Sequence, residues 1–156
     1  MSRAKDIVER ASAAGIVIAT AESCTGGMIS AAITDIAGSS RVLDRGFVTY
    51  SNAAKMDMLG VSADTLDTDG AVSEQVAAEM AAGALKHSNA TLTVSVTGIA
   101  GPGGSDFKPE GRVCFGIATK DGVETHQVDF GALGRVGVRS ATVAHALDLL
   151  LQKLPT

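Results

Sequence analysis

Three short apolar runs, each emptying into a turn of hydroxyls or glycines, constrain this chain more than any other feature. IVIAT (16–20) leads into AESCTGG, RGFVTYS (45–51) into NAAK, and TLTVSVTG (91–98) into IAGPGG. Runs that are apolar on both faces must be covered on both. Between them the apolar residues recur at helical spacing, predicting helices over 2–14, about 26–37, a short one after Ser51, one headed by Ser73, and one over about 135–153. Gly15, Gly38 and Gly60 stand where those helices would stop. Later, RVCFGIAT and VETHQVDF flank Lys120-Asp121-Gly122 and read as a hairpin. Strands alternating with helices, then one hairpin, predict an α/β fold: a three-layer sandwich on a mostly parallel sheet with one strand reversed near its end.

The remaining totals narrow the function classes. With 156 residues the chain fits a single domain, 1–156, that needs no disulfide or metal to hold its core. Four Phe, one Tyr and no Trp leave that core to Ala, Val, Ile and Leu, which favours close packing of helix on sheet. A net charge of -4 with scattered Lys and Arg argues against a nucleic-acid surface. Cys24 and Cys114 have no metal-type spacing, and three isolated His suggest no metal set. No stretch has the ~18 uninterrupted apolar residues of a membrane span. A soluble cytoplasmic protein is the expectation.

If the three runs are parallel strands, their polar ends meet at one rim of the sheet, where open α/β sheets bind ligands. In the first group Ser23 or Thr25 caps the next helix, or Ser23 is a nucleophile with the N–H groups of Cys24, Thr25 and Gly26 facing a developing oxyanion. Cys24 is a second candidate nucleophile, but no His lies nearby to ionise it. A serine without His needs another base, and Lys55 is the candidate. It falls in the first turn of its helix, where the dipole disfavours a cation, and such a misfit marks either a functional position or a solvated surface lysine. Tyr50, the only Tyr, could orient that amine or stack on a ring. The glycines around Thr97, Gly98, Ile99, Ala100 and Gly101 permit close approach to a phosphate or planar ligand, though they match neither a Walker A loop nor a dinucleotide fingerprint. Arg135 and Arg139, one turn apart, can face one side of the last helix, and a guanidinium suits phosphate.

TAESCTGG, RGFVTYSNAAK, GAVSE, TGIAGPGG, KPEGRV and the Arg-containing last helix, in this order, closely resemble the CinA C-terminal domain family, whose stand-alone members are nicotinamide-nucleotide amidases. The resemblance runs from about residue 5 to 150. It implies an α/β/α sandwich on a mixed five-stranded sheet, and hydrolysis of nicotinamide mononucleotide to nicotinate mononucleotide and ammonia without metal or cofactor. It implies Ser23 as nucleophile and Lys55 as its base, with Tyr50, Thr97 and Arg139 lining the site and Glu22, Cys24, Thr25, Gly26 and the 98–101 segment around the substrate. Homo-oligomers are implied as well. The chain departs from the family pattern at Gly134, where an acidic residue is expected, and in a shorter GPGGSDFKP loop. The alternative is a nucleotide-binding module that keeps the pocket without turnover.

Overall fold

The computed structural model describes residues 2–105 and 107–156. In chain order the elements are α1 (Arg3–Ala14), β1 (Ile18–Glu22), α2 (Met28–Thr34), a 3-10 turn (Ser39–Arg41), β2 (Leu43–Val48), α3 (Asn52–Leu59), α4 (Ala63–Asp69), α5 (Glu74–Lys86), β3 (Leu92–Gly98), β4 (Arg112–Thr119), β5 (Gly122–Asp129) and α6 (Gly134–Gln152).

The strands form one sheet in the order β2-β1-β3-β4-β5. β1 pairs in parallel with β2 and β3, and β4 is antiparallel to both its neighbours, so β4 alone runs against the others. From β1 the chain steps to one side through α2, then returns from β2 across β1 to β3. Right-handed crossovers in opposite directions put the connecting helices on opposite faces. Accordingly α1, α2 and α6 pack together on one face and α3, α4 and α5 on the other. The reversal of direction falls at the carboxyl end of β1, the place where such sheets bind ligands.

β3 shows how a two-residue period serves both layers. Leu92, Val94 and Val96 belong to the core under α1 and α6. The alternate hydroxyls turn to the other face, where Thr93 donates to the Ala81 carbonyl (2.7 Å), Ser95 to Ala77 (2.6 Å) and Thr97 to Ala71 (2.9 Å). Such close approach needs glycine. A Cβ on Gly116 would lie 2.5 Å from the Ala77 carbonyl oxygen, and one on Gly83 would lie 2.0 Å from that of Leu59.

Three boundaries differ from expectation. The helix expected over 26–37 is only Met28–Thr34, because Gly26 and Gly27 adopt positive φ (57° and 107°). Gly38 opens the 3-10 turn instead of closing that helix. The first strand runs to Glu22, not Thr20, because the carboxylate at its end finds partners inside the protein. α4 is absent from the sequence reading. Its seven residues bury only Leu66, so it has almost no apolar period, and it is held by a Ser62 cap and by Glu79 of α5, which accepts from Ser62 N–H and Thr65 Oγ1. Among the described residues no helix is long and apolar enough to cross a membrane, and no cluster of His, Cys, Asp or Glu could hold a metal ion.

Candidate active site

The carboxyl ends of β1, β2 and β3 surround a cavity of about 350 Å³. Its walls include Ser23, Cys24, Tyr50, Lys55, Val72, the segment Thr97–Ser105 and Arg135. Ser51 caps α3 by accepting from Ala54 N–H, which sets Lys55 one turn in, and the side chain folds back under the rim until only 2% of the residue is exposed. Its Nζ lies 3.0 Å from Ser23 Oγ, 3.0 Å from the Thr49 carbonyl and 3.4 Å from that of Tyr50. No ion pair among the described residues includes Lys55. Burial therefore pushes its pKa down from the ordinary lysine value, opposed only by the Cys24 sulfur. A neutral amine has two N–H donors and one lone pair. With two carbonyls in reach to take the N–H groups, the lone pair is left for the Ser23 hydroxyl.

Cys24, although next in sequence, is unsuited to attack. Burial pushes its thiol up to about 11, with its own backbone N–H, Glu22, Arg139 and Lys55 as smaller influences. It packs in the core between strands, where a Cβ on Gly98 would touch its sulfur at 3.2 Å. A neutral thiol also cannot hold up the Lys55 pKa at neutral pH. Cys24 and Cys114 are both free and buried.

Glu22 is fully buried and its carboxylate faces the start of α2, away from the cavity. It accepts from Thr25 Oγ1 (2.5 Å), Gly27 N (3.2 Å), Ile29 N (2.9 Å) and Ser30 N (3.0 Å). The helix start read from sequence as an anion site is thus occupied by the protein's own anion. Gly26 N–H is also taken, by the Ser23 carbonyl (3.1 Å). Apart from the contact of Cys24 N–H with its own thiol, the N–H groups of Cys24 and Thr25 find no acceptor among the described residues. Arg139 donates to the carbonyls of Cys24 (3.0 Å) and Thr25 (3.2 Å), and because C=O and N–H of a trans peptide point oppositely, Thr25 N–H faces away from that guanidinium.

A family model described as the CinA C-terminal domain matches residues 1–154. The chain belongs to the CinA C-terminal domain family. A relative named nicotinamide-nucleotide amidohydrolase PncC, from Enterobacter agglomerans, is 55% identical over 90% of this chain and 87% of its own. Its namesake from Escherichia coli K12 is 48% identical over 98% of this chain and 93% of its own. The crystal structure of competence/damage inducible protein CihA from Agrobacterium tumefaciens superposes with a TM-score of 0.90 at 49% identity, covering 97% of this chain and 96% of that one.

Within this CinA domain the expected residues divide cleanly. Ser23 and Lys55 meet at the cavity floor, and Thr97, Gly98, Ile99, Ala100 and Gly101 form one wall. Thr97 spends its hydroxyl on the Ala71 carbonyl. Tyr50 is 59% exposed and its phenol does not reach the amine; only its backbone carbonyl does. Glu22, Thr25, Gly26 and Arg139 stand behind the turn that carries Ser23 and line no part of the cavity. Arg139, expected to line the site, is one helical turn too deep, and Arg135 takes that wall, its Nη2 donating to Tyr50 Oη and its Nη1 to the Gly101 carbonyl, both at 2.7 Å. Sequence spacing put both arginines on one face of α6 but carried no signal of their depth.

Proposed function

We propose that this CinA domain hydrolyses the carboxamide of nicotinamide mononucleotide, giving nicotinate mononucleotide and ammonia in pyridine nucleotide salvage. One observation carries the reading: a buried lysine amine with no carboxylate partner among the described residues, 3.0 Å from a serine hydroxyl at a cavity floor. Neutral Lys55 takes the Ser23 proton as Oγ bonds to the carboxamide carbon. The carbonyl electrons move to oxygen, where Cys24 and Thr25 N–H groups donate. As that oxyanion collapses the C–N bond breaks, and the Lys55 ammonium hands its proton to the departing amine. Water then repeats the cycle on the ester, with Lys55 again the base, releasing the carboxylate and restoring Ser23. Arg135, the other cation on the cavity wall, meets the phosphate at the mouth.

The test is ammonia release from nicotinamide mononucleotide. Ser23→Ala abolishes it, and Cys24→Ala keeps it within about tenfold, since a thiol held at about 11 supplies no thiolate near neutrality. Loss of turnover in Cys24→Ala but not in Ser23→Ala would reverse the assignment. Tight nucleotide binding with no ammonia from the wild type would leave the non-catalytic module.

A further inference from the structure

The KPEG segment, 108–111, takes part in no step above, yet its two charged side chains hold the walls of the cavity. Lys108 Nζ donates to the carbonyls of Asp69 (2.8 Å) and Val72, tying the loop after β3 to the lead-in of α5. Glu110 reaches the other way. One carboxylate oxygen accepts from Gly103 N–H at 2.7 Å and the other from Gly134 N–H at 3.1 Å.

Both glycines have positive φ (77° and 81°), and Gly134 opens the 19-residue α6, whose preceding residue, Leu133, offers no side-chain cap. A carboxylate from a distant loop therefore does the capping, with the favourable sign for a helix N-terminus. It also presses on the opposite wall: a Cβ on Gly101 would lie 2.6 Å from the Glu110 carboxyl carbon. Arg135, next in the chain after Gly134, donates to the Gly101 carbonyl. Glu110, Gly134, Arg135 and Gly101 thus close a ring, and Glu110 touches it on both sides of the arginine.

We propose that Glu110 is a positioning residue that fixes the Arg135 guanidinium at the cavity mouth, so that the phosphate end of the substrate is held while the carboxamide meets Ser23. This rests on the amidase reading. Only a carboxylate can accept from both amides at once; a glutamine would turn an N–H against one of them.

The experiment compares wild type, Glu110→Ala, Glu110→Gln and Glu110→Asp on nicotinamide mononucleotide and on nicotinamide riboside, which lacks the phosphate. For Glu110→Ala, KM for the mononucleotide rises about tenfold, one hydrogen bond's worth of positioning, with kcat little changed. KM for the riboside stays put. Glu110→Gln falls between, and Glu110→Asp, charged but a methylene short, does not restore the wild-type KM. In an Arg135→Ala background the Glu110→Ala effect vanishes. Equal losses on both substrates, or additive losses in the double variant, would overturn the proposal and leave Glu110 a structural cap only. Amide exchange needs no turnover: Gly103 and Gly134 N–H are protected in the wild type, both lose protection in Glu110→Ala and one of them does in Glu110→Gln, and unchanged protection in Glu110→Ala overturns the proposal whatever the substrate. Should the wild type release no ammonia, the amidase reading falls, and the same cycle is read from calorimetric Kd values for nicotinamide mononucleotide.

Discussion

At the carboxyl rim of β1, β2 and β3 the cavity holds about 350 Å³, while a hollow of about 780 Å³ opens at the opposite rim. The larger one lies beneath the β4–β5 turn and is lined by Thr119, Lys120, Asp121, Val123, Glu124 and Lys153 among others. Its charges are ordinary: Lys153 donates to an exposed Glu124 at 2.6 Å, an ion pair in solvent. The smaller one has a lysine shut from water, glycines at positive φ and, among the described residues, no counter-ion for that lysine and no protein acceptor for the Thr25 N–H. Desolvation and unpaired donors, rather than volume, mark the smaller rim as the candidate for chemistry, because a buried amine and aimed N–H dipoles act there without the screening of water.

The sharpest way to break that contrast is to remove its charge. Lys55→Met should lower kcat by about 10²–10⁴, the usual contribution of a general base. On the proposed mechanism serine and lysine act as a unit, so Ser23→Ala with Lys55→Met should be no worse than the more damaging single variant. The wild-type kcat/KM should rise with pH and level off below the ordinary lysine pKa of 10.5, since burial lowers the folded-state value. Stability carries the same signature. Between the lowered folded-state pKa and 10.5 the unfolded chain binds more protons, so stability rises with pH across that window and is lost as pH falls through the folded pKa. Lys55→Met should flatten that slope in pH-dependent thermal melts. A slope that persists would mean the amine is not the group responsible.

Glu22→Gln comes next, acting on the support of the turn that carries Ser23 rather than on the proposed chemistry. The amide cannot accept from Thr25 Oγ1 and from the N–H groups of Gly27, Ile29 and Ser30 together. One buried donor is stranded, at a cost of roughly 2–4 kcal/mol. Denaturant unfolding should show that loss, and kcat should fall with it because Ser23 is the adjoining residue. Unchanged stability would show that the carboxylate is dispensable to the turn.

How far these features could be read from residues alone depends on their range. The three strand ends, the Ser51 cap and the misplaced cation at Lys55 are local patterns, visible within four or five residues, and the fold confirms where they lie. Glu22 looked like a rim residue because nothing near it says that α2 will turn its amides back onto the strand. Arg139 and Arg135 share a helical face, and only where along α6 the cavity falls decides which reaches it. Lys108 and Glu110 sit in a Gly- and Pro-rich loop, whose partners at Asp69, Val72 and Gly134 are distant in sequence. Asp106, in the same loop, lies outside the described residues.

A smaller effect tests how tightly the active rim is built. Thr49 Oγ1 is a buried side-chain polar atom with no hydrogen-bond partner among the described residues, beside the carbonyl that receives Lys55. Thr49→Val exchanges that hydroxyl for a methyl of nearly the same shape, so stability should rise by about 1 kcal/mol while kcat holds. A loss of activity at unchanged fold would instead place the hydroxyl in the proton path of Lys55, which melts and kinetics on the same preparation can separate.

The smallest effect belongs to the opposite rim, and it is the control on which the contrast stands. Lys153→Met and Glu124→Gln each dissolve the pair that crosses the larger hollow. Glu124 is held below the usual carboxylate range mainly by its hydrogen bond from Lys153, but both groups face water, and an exposed pair changes little when broken. Both variants should match the wild type in kcat/KM for nicotinamide mononucleotide and in Tm within experimental scatter. A severalfold drop in kcat/KM would couple the two ends of the sheet through β3 and β4, and volume would then have to be given a part in the reaction.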